Sequence, residues 1–130
     1  MKSKEARQDP KLIRNQFESN NVFGIPTIKK CEIKNKKLKF VGFDQIYTKK
    51  RGIEDKTIHF FIDDHKFNRV YNSPERYFKK LARYEAVLTP DFSLFTDMPL
   101  AIQIHNVFKS RWCGAYWQDN LANMPRTISF

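Results

Sequence analysis

Four aspartates stand where two apolar runs release into loops: Asp63 and Asp64, with His65 behind them, follow Thr57–Ile62, and Asp91 and Asp97 follow Val87-Leu88. If those runs are neighbouring parallel strands, their carboxylates meet at one carboxyl edge, where open α/β sheets usually hold their ligands. Asp63, Asp64, Asp91 and Asp97 are therefore the candidate catalytic residues. They can work as an acid/base pair, or, through Asp63 and Asp91, hold Mg²⁺ or Mn²⁺ beside substrate phosphates. The same residue types also serve structure. Asp97 or Thr96 can cap a helix starting near Met98, Asp91 can form an Asx-turn after Pro90, and Asp63 or Asp64 can cap the segment around Phe67. His59, on a strand, and His105, at the margin of a helical stripe, fit structural roles. No GxxxxGK[ST], GxGxxG, HExxH or GxSxG string occurs, which leaves P-loop, Rossmann, zincin and serine-hydrolase chemistry without support.

A second chemistry is suggested by charge. The formal net charge of +10 is lopsided: residues 1–56 hold 15 Lys/Arg against 7 Asp/Glu, while residues 57–130 hold 9 against 7. A basic excess of this kind suits a polyanion, because each neutralised phosphate releases counterions. Lys36, Lys37, Lys49, Lys50 and Arg51, flanked by Phe40, Phe43 and Tyr47, would follow a nucleic-acid backbone. Arg111, in Arg111-Trp112-Cys113-Gly114-Ala115-Tyr116-Trp117-Gln118, would hold a phosphate beside rings able to stack bases. The alternatives are a solvated lysine-rich hairpin, Trp112 in the core, and Gly114 as a left-handed helix C-cap.

These residues need elements to position them. Met1–Asn21 is polar and reads as an arm pinned through Phe17, and residues 22–130 read as one α/β domain. Val22–Ile28 suits a short edge strand or entry segment. Lys29–Lys39 suits a basic hairpin turning at Asn35-Lys36, and its second strand, continuing to Phe43, is expected to be buried on both sides after Lys39. Tyr47–Lys56 is a loop, with no periodic apolar residue. Thr57–Ile62 is the clearest strand. Ser73-Pro74-Glu75 opens a helix carrying Tyr77, Phe78, Leu81, Ala82 and Tyr84 on one stripe. Ala86–Leu88 is a strand, Met98 to Gly114 a helix with Leu100, Ile104, Val107, Phe108, Arg111 and Trp112 at helical spacing, and Met124–Phe130 a last strand. The alternation predicts a mostly parallel sheet with right-handed βαβ crossovers.

The strings Gly24-Ile25-Pro26, Gly42-Phe43-Asp44, HFFIDDHKFNRVYNSPERY (His59–Tyr77), VLTPDFSLFTDMPLAIQIHNVF (Val87–Phe108), RWCGAYWQ (Arg111–Gln118) and PRTISF (Pro125–Phe130) resemble the domain-of-unknown-function family 4417. The resemblance runs from about Phe23 onward, and its most specific string is P-D-F-S-L-x-T-D-M-P-x-A-x-Q. It implies a protein of bacteria, phages or other mobile elements, with no agreed activity. Members carry an aromatic residue where this chain has His65, so His65 is not implied as a shared ligand. They also continue past Phe130, so the resemblance implies that this chain corresponds to the front part of a longer α/β domain.

Two cysteines 82 positions apart, with no CxxC, suggest reduced thiols, and no signal-peptide h-region or run of about 18 apolar residues occurs. The expectation is a small, basic protein of the bacterial host cytoplasm, without a membrane role, that engages DNA, RNA or a nucleic-acid-handling complex. The alternatives are a metal-assisted phosphoryl-transfer or hydrolytic enzyme built on the aspartates, and an inhibitor that binds a host protein.

Overall fold

The computed structural model describes residues 10–31, 38–46, 51–120 and 126–128. The anticipated turn at Asn35-Lys36, and with it Lys36, Lys37, Lys49 and Lys50, falls outside the described residues. The elements are α1 (Pro10–Ile13), β1 (Lys39–Gly42), a 3₁₀ turn (Phe43–Gln45), β2 (Lys56–His59), a second 3₁₀ turn (Asp64–Lys66), α2 (Arg69–Asn72), α3 (Pro74–Leu81), β3 (Ala86–Leu88), α4 (Leu100–Asp119) and β4 (Arg126–Ile128). Among the described residues no helix is long and apolar enough to cross a membrane.

All three strand pairs are parallel, and the strands lie side by side in chain order, β1-β2-β3-β4. Because such crossovers are right-handed, an order that never reverses puts every connection on the same face of the sheet. The register row Val41, Ile58, Val87, Thr127 faces that layer. Its apolar members join Phe43, Phe60, Phe67, Val70, Leu81, Trp112 and Trp117 in one buried cluster. The opposite face is less evenly covered: Thr57, Ala86 and Leu88 are buried, whereas Phe40 is 51% exposed. On that face of β1 Phe40 is exposed and Gly42 is buried, so the expected burial on both sides holds only at the carboxyl end of the strand.

Three further expectations are corrected by long-range packing. The loop between β1 and β2 holds Ile46 and Ile53, both fully buried, and the Tyr84 hydroxyl donates to the Ile46 carbonyl at 3.3 Å. An isolated Ile in a lysine-rich loop has no periodicity, so only tertiary contact reveals it. α4 begins at Leu100 with Pro99 in the N-cap position, two residues after Met98, and no side chain caps it. Its first turn is poorly covered, with Leu100 69% exposed. Gly114 does not end α4, which runs on to Asp119. A Cβ at Gly114 would stand 2.5 Å from Ile28 Cδ1 and 2.9 Å from Thr89 Cγ2, so the glycine permits close approach rather than a left-handed turn. α3 starts at Pro74 as predicted, with Tyr77 and Leu81 buried, although Ser73 makes no side-chain capping bond.

The arm is bound to α2 and α4 by several groups. The Arg14 guanidinium lies 3.9 Å from the Tyr71 ring centroid and 4.2 Å from that of Trp112, and its Nη1 donates to the Tyr71 carbonyl at 2.9 Å. Phe17 packs on Trp112 at 5.6 Å. Farther along, Lys29 and Gln118 exchange two hydrogen bonds, backbone N–H to Oε1 at 2.9 Å and Nε2 to carbonyl at 2.8 Å.

Candidate functional site

At the carboxyl edge the chain leaves β2 at His59, sends Phe60 into the core, and turns at Asp64–Lys66. Asp63 occupies the N-cap position of that turn without a capping bond, and its side chain is exposed. Asp64 does more. Its Oδ2 accepts the Ser93 backbone N–H at 3.0 Å and its Oδ1 accepts the Ser93 hydroxyl at 2.9 Å. The Ser93 carbonyl in turn accepts from Asn106 Nδ2 at 2.7 Å. One carboxylate therefore ties the loop after β2 to the loop after β3, and through Ser93 to α4. Charge-assisted bonds of this kind are stronger than neutral ones and fix loop geometry.

Asp91 shares this neighbourhood. Burial, helped by the negative charge of Asp64, raises its carboxyl above the ordinary carboxylate pKa. Lys109 reaches over the Phe92 ring at 4.2 Å. Its ammonium is held below the usual lysine range by burial, against the opposing pull of Asp64 and Cys113. His105 is lowered by burial and then by the Lys109 charge. A cleft of about 230 Å³ lies beside this network, lined by Asp91, Phe92, Leu94, Asn106 and Arg111 among others.

Of the residues anticipated from sequence, Asp64 and Asp91 are brought together, and Arg111 lines the same cleft as Asp91. Asp97 is exposed, three positions ahead of the first residue of α4. Arg51 is exposed in the loop leading to β2. Among the described residues no three His, Cys, Asp or Glu side chains gather as a metal cage would require. A hard cation at this edge would draw on Asp64 and Asp91 together with substrate oxygens or water. Ser93, Asn106 and Lys109 went unnoticed in the sequence. The Ser within P-D-F-S and the Asn and Lys three apart on α4 are the only signal, and it becomes readable only once the loop is known to fold back on the helix.

A second group occupies the sheet face that the helices leave alone. His59 stacks on Phe61 at 5.4 Å and meets Phe40 edge-on at 6.2 Å. Phe40 and Phe61 are 51% and 49% exposed. His59 Nδ1 accepts the Phe61 backbone N–H at 3.2 Å, so the neutral ring carries its proton on Nε2. A Cβ on Gly42 would stand 2.6 Å from Asp44 Oδ1, 3.5 Å from His59 Cε1 and 3.7 Å from His59 Nε2. The missing side chain thus lets the Asp44 carboxylate close in on the strand beside the His59 ring. Lys66 approaches Asp44 at 4.0 Å. Sequence reasoning missed Asp44 and gave His59 a structural role. A glycine inside a strand, with an acid two positions on, was the available sign of close approach.

A family model described as "Domain of unknown function (DUF4417)" matches residues 17–130. The Gene 1 protein of Mycobacterium phage L5 is 41% identical over 109 residues, covering 82% of this chain and 46% of that protein. The Gene 1 protein of Mycobacterium phage D29 is 55% identical over 62 residues, covering 48% of this chain and 23% of that protein. The chain therefore spans less than half the length of these curated relatives. No solved structure matches.

Proposed function

Since this chain belongs to the DUF4417 family, with phage gene 1 proteins among its relatives, we propose that it engages nucleic acid through its basic N-terminal half. The observation that carries this reading is the coincidence of charge and surface. The half of the chain with the basic excess also contributes β1, whose Phe40 is exposed on the sheet face away from the helices. Exposed rings bordered by Lys and Arg suit a flexible, sequence-tolerant polyanion, with the lysines supplying attraction and the rings supplying stacking surface. Lys36, Lys37, Lys49, Lys50 and Arg51 are the groups expected to follow the phosphates. Fluorescence anisotropy with labelled DNA and RNA oligonucleotides tests it. Binding should weaken steeply with salt, and should fall when Lys36, Lys37, Lys49 and Lys50 are changed to Glu. No binding at low ionic strength removes the proposal.

A second reading is favoured by the clamped Asp64 and desolvated Asp91 beside the cleft. In that reading the carboxyl edge performs metal-assisted phosphoryl transfer or hydrolysis, with Mg²⁺ or Mn²⁺ held by the aspartates. Titration calorimetry with Mn²⁺ on wild type, Asp63→Asn and the Asp64→Asn/Asp91→Asn pair discriminates. Heat that disappears in the double variant supports this reading, and the absence of heat in wild type leaves the aspartates as loop-fixing groups.

A further inference from the structure

We propose that the cleft between the loop after β3 and α4 binds one free α-amino acid. Its ammonium meets Asp91 and the Asn106 amide oxygen, its carboxylate meets Arg111, and its side chain lies against Phe92, Leu94 and Val107. This goes beyond the nucleic-acid reading and does not rest on it. Three observations converge on the cleft. The Asp91 carboxylate is half-buried, yet among the described residues no hydrogen bond or ion pair reaches it; burial and the Asp64 charge both act against its ionisation. A carboxylate in that position is costly to bury and calls for a donor. Asn106, 7% exposed, spends an Nδ2 hydrogen on the Ser93 carbonyl at 2.7 Å, which leaves its Oδ1 as a second acceptor in the lining. Arg111 lines the same cleft without pairing with Asp91, and a guanidinium carries more donors than one partner uses.

Acceptors and a cation that share a cleft without meeting each other call for a ligand bearing both charges. A bare metal ion would gain nothing from the guanidinium or the apolar walls, whereas a zwitterion uses them all. Volume sets the size. At about 30 Å³ for each water, the 230 Å³ of the cleft holds the bulk of about eight waters. That matches a medium aliphatic amino acid and lies below the ~300 Å³ where drug-sized ligands begin. The walls rank the side chains. Each methylene that finds Phe92, Leu94 or Val107 adds about fourfold in affinity, so leucine and methionine bind above glycine, while tryptophan exceeds the space. Asp64 fixes Ser93 and Ser93 fixes Asn106, so this acceptor is in place before the ligand arrives.

Titration calorimetry on the full chain, in buffer containing a chelator, tests this with L-leucine, L-methionine, glycine, L-tryptophan, L-leucinamide and 4-methylpentanoate, which is leucine without its amino group. Wild type should bind leucine and methionine, and glycine roughly tenfold or more weakly. Leucinamide and 4-methylpentanoate each lack one of the two charges and should also lose roughly tenfold or more. Asp91→Asn should weaken leucine binding to the same extent, and Arg111→Gln should remove the preference for leucine over leucinamide. No heat from any of these compounds overturns the proposal, and so does leucine binding that survives Asp91→Asn. Leucinamide that binds wild type as well as leucine makes the cleft a seat for the amino terminus of a peptide and overturns its assignment to a free amino acid. Leucine binding that appears only when Mn²⁺ replaces the chelator returns Asp91 to the metal reading and overturns this one. None of these outcomes bears on the nucleic-acid reading, which the anisotropy measurement tests. Circular dichroism checks the folding of both variants, and the two leucine analogues probe the same contacts without altering the protein.

Discussion

Gly114 shows how one absent carbon can decide the packing of three segments. Alanine there would gain about 1 kcal/mol of helix propensity. It would also push a methyl against Ile28, which can swing aside, and against Thr89 Cγ2, which is buried and β-branched and cannot. Gly114→Ala is therefore expected to lower stability by about 1–2 kcal/mol in urea unfolding, and Thr89→Ser, which removes Cγ2, should return part of that loss. Asp91 gives a prediction in pH. Its folded pKa is raised, so the unfolded chain gives up the proton first as pH climbs, and ionisation disfavours the folded state. Stability should fall as pH rises from the ordinary carboxylate value of 3.8 through the raised one, and Asp91→Asn should abolish that fall. Equal pH slopes in the two proteins would contradict it. The thiols should also separate. Cys113 is fully buried and its pKa is pushed up by that burial, whereas Cys31 is half-buried with its Sγ 3.1 Å from the Thr127 carbonyl. An aromatic disulfide reagent should modify Cys31 in the native protein and reach Cys113 only on unfolding.

At the scale of elements, the arm and α4 act as a pair. Arg14 fills the space between Tyr71 and Trp112, and Arg14→Ala takes the cation away from both rings and breaks a charged hydrogen bond, together about 2 kcal/mol. Lysine should restore little, since an ammonium cannot lie flat between two rings. Tryptophan fluorescence and limited proteolysis of the arm report the change. Which elements were legible follows from what fixes them. β3, β4 and α3 are specified by their own residues: a short apolar run, a β-branched run, and Pro74 leading a stripe of Tyr77 and Leu81. The parallel order followed from their alternation. The exposure of Phe40 on β1, the buried Ile53, the continuation of α4 through Gly114 and the bond from Asp64 to Ser93 all depend on partners far away in sequence. The anticipated caps did not form: Asp64 bonds Ser93 across 29 positions, α4 starts at Leu100 with Pro99 in the N-cap position, Ser73 makes no capping bond, and α4 runs on through Gly114.

For the molecule as a whole, the uneven charge should appear as a salt slope. Each phosphate neutralised on a single strand contributes about −0.7 to the slope of log affinity against log salt. Changing Lys36, Lys37, Lys49 and Lys50 to Glu should flatten it by about that much for every phosphate no longer neutralised, whereas Phe40→Ala should lower affinity at an unchanged slope. The two effects then separate in one titration series. The arm carries a consequence for the order of assembly. Gln16 bonds Trp112 across 96 positions, Cys31 bonds the Thr127 carbonyl across 96, and Lys29 bonds Gln118 across 89. β1 and β2 are joined by residues 43–55 alone and can pair early, whereas β4 follows α4 in the chain, so the sheet is completed only after α4 is made. The arm, although synthesised early, finds only part of its seat, at Tyr71 and Glu75, before α4 follows it out. The face of Trp112 that Phe17 and Arg14 cover is therefore closed only after α4 has been made.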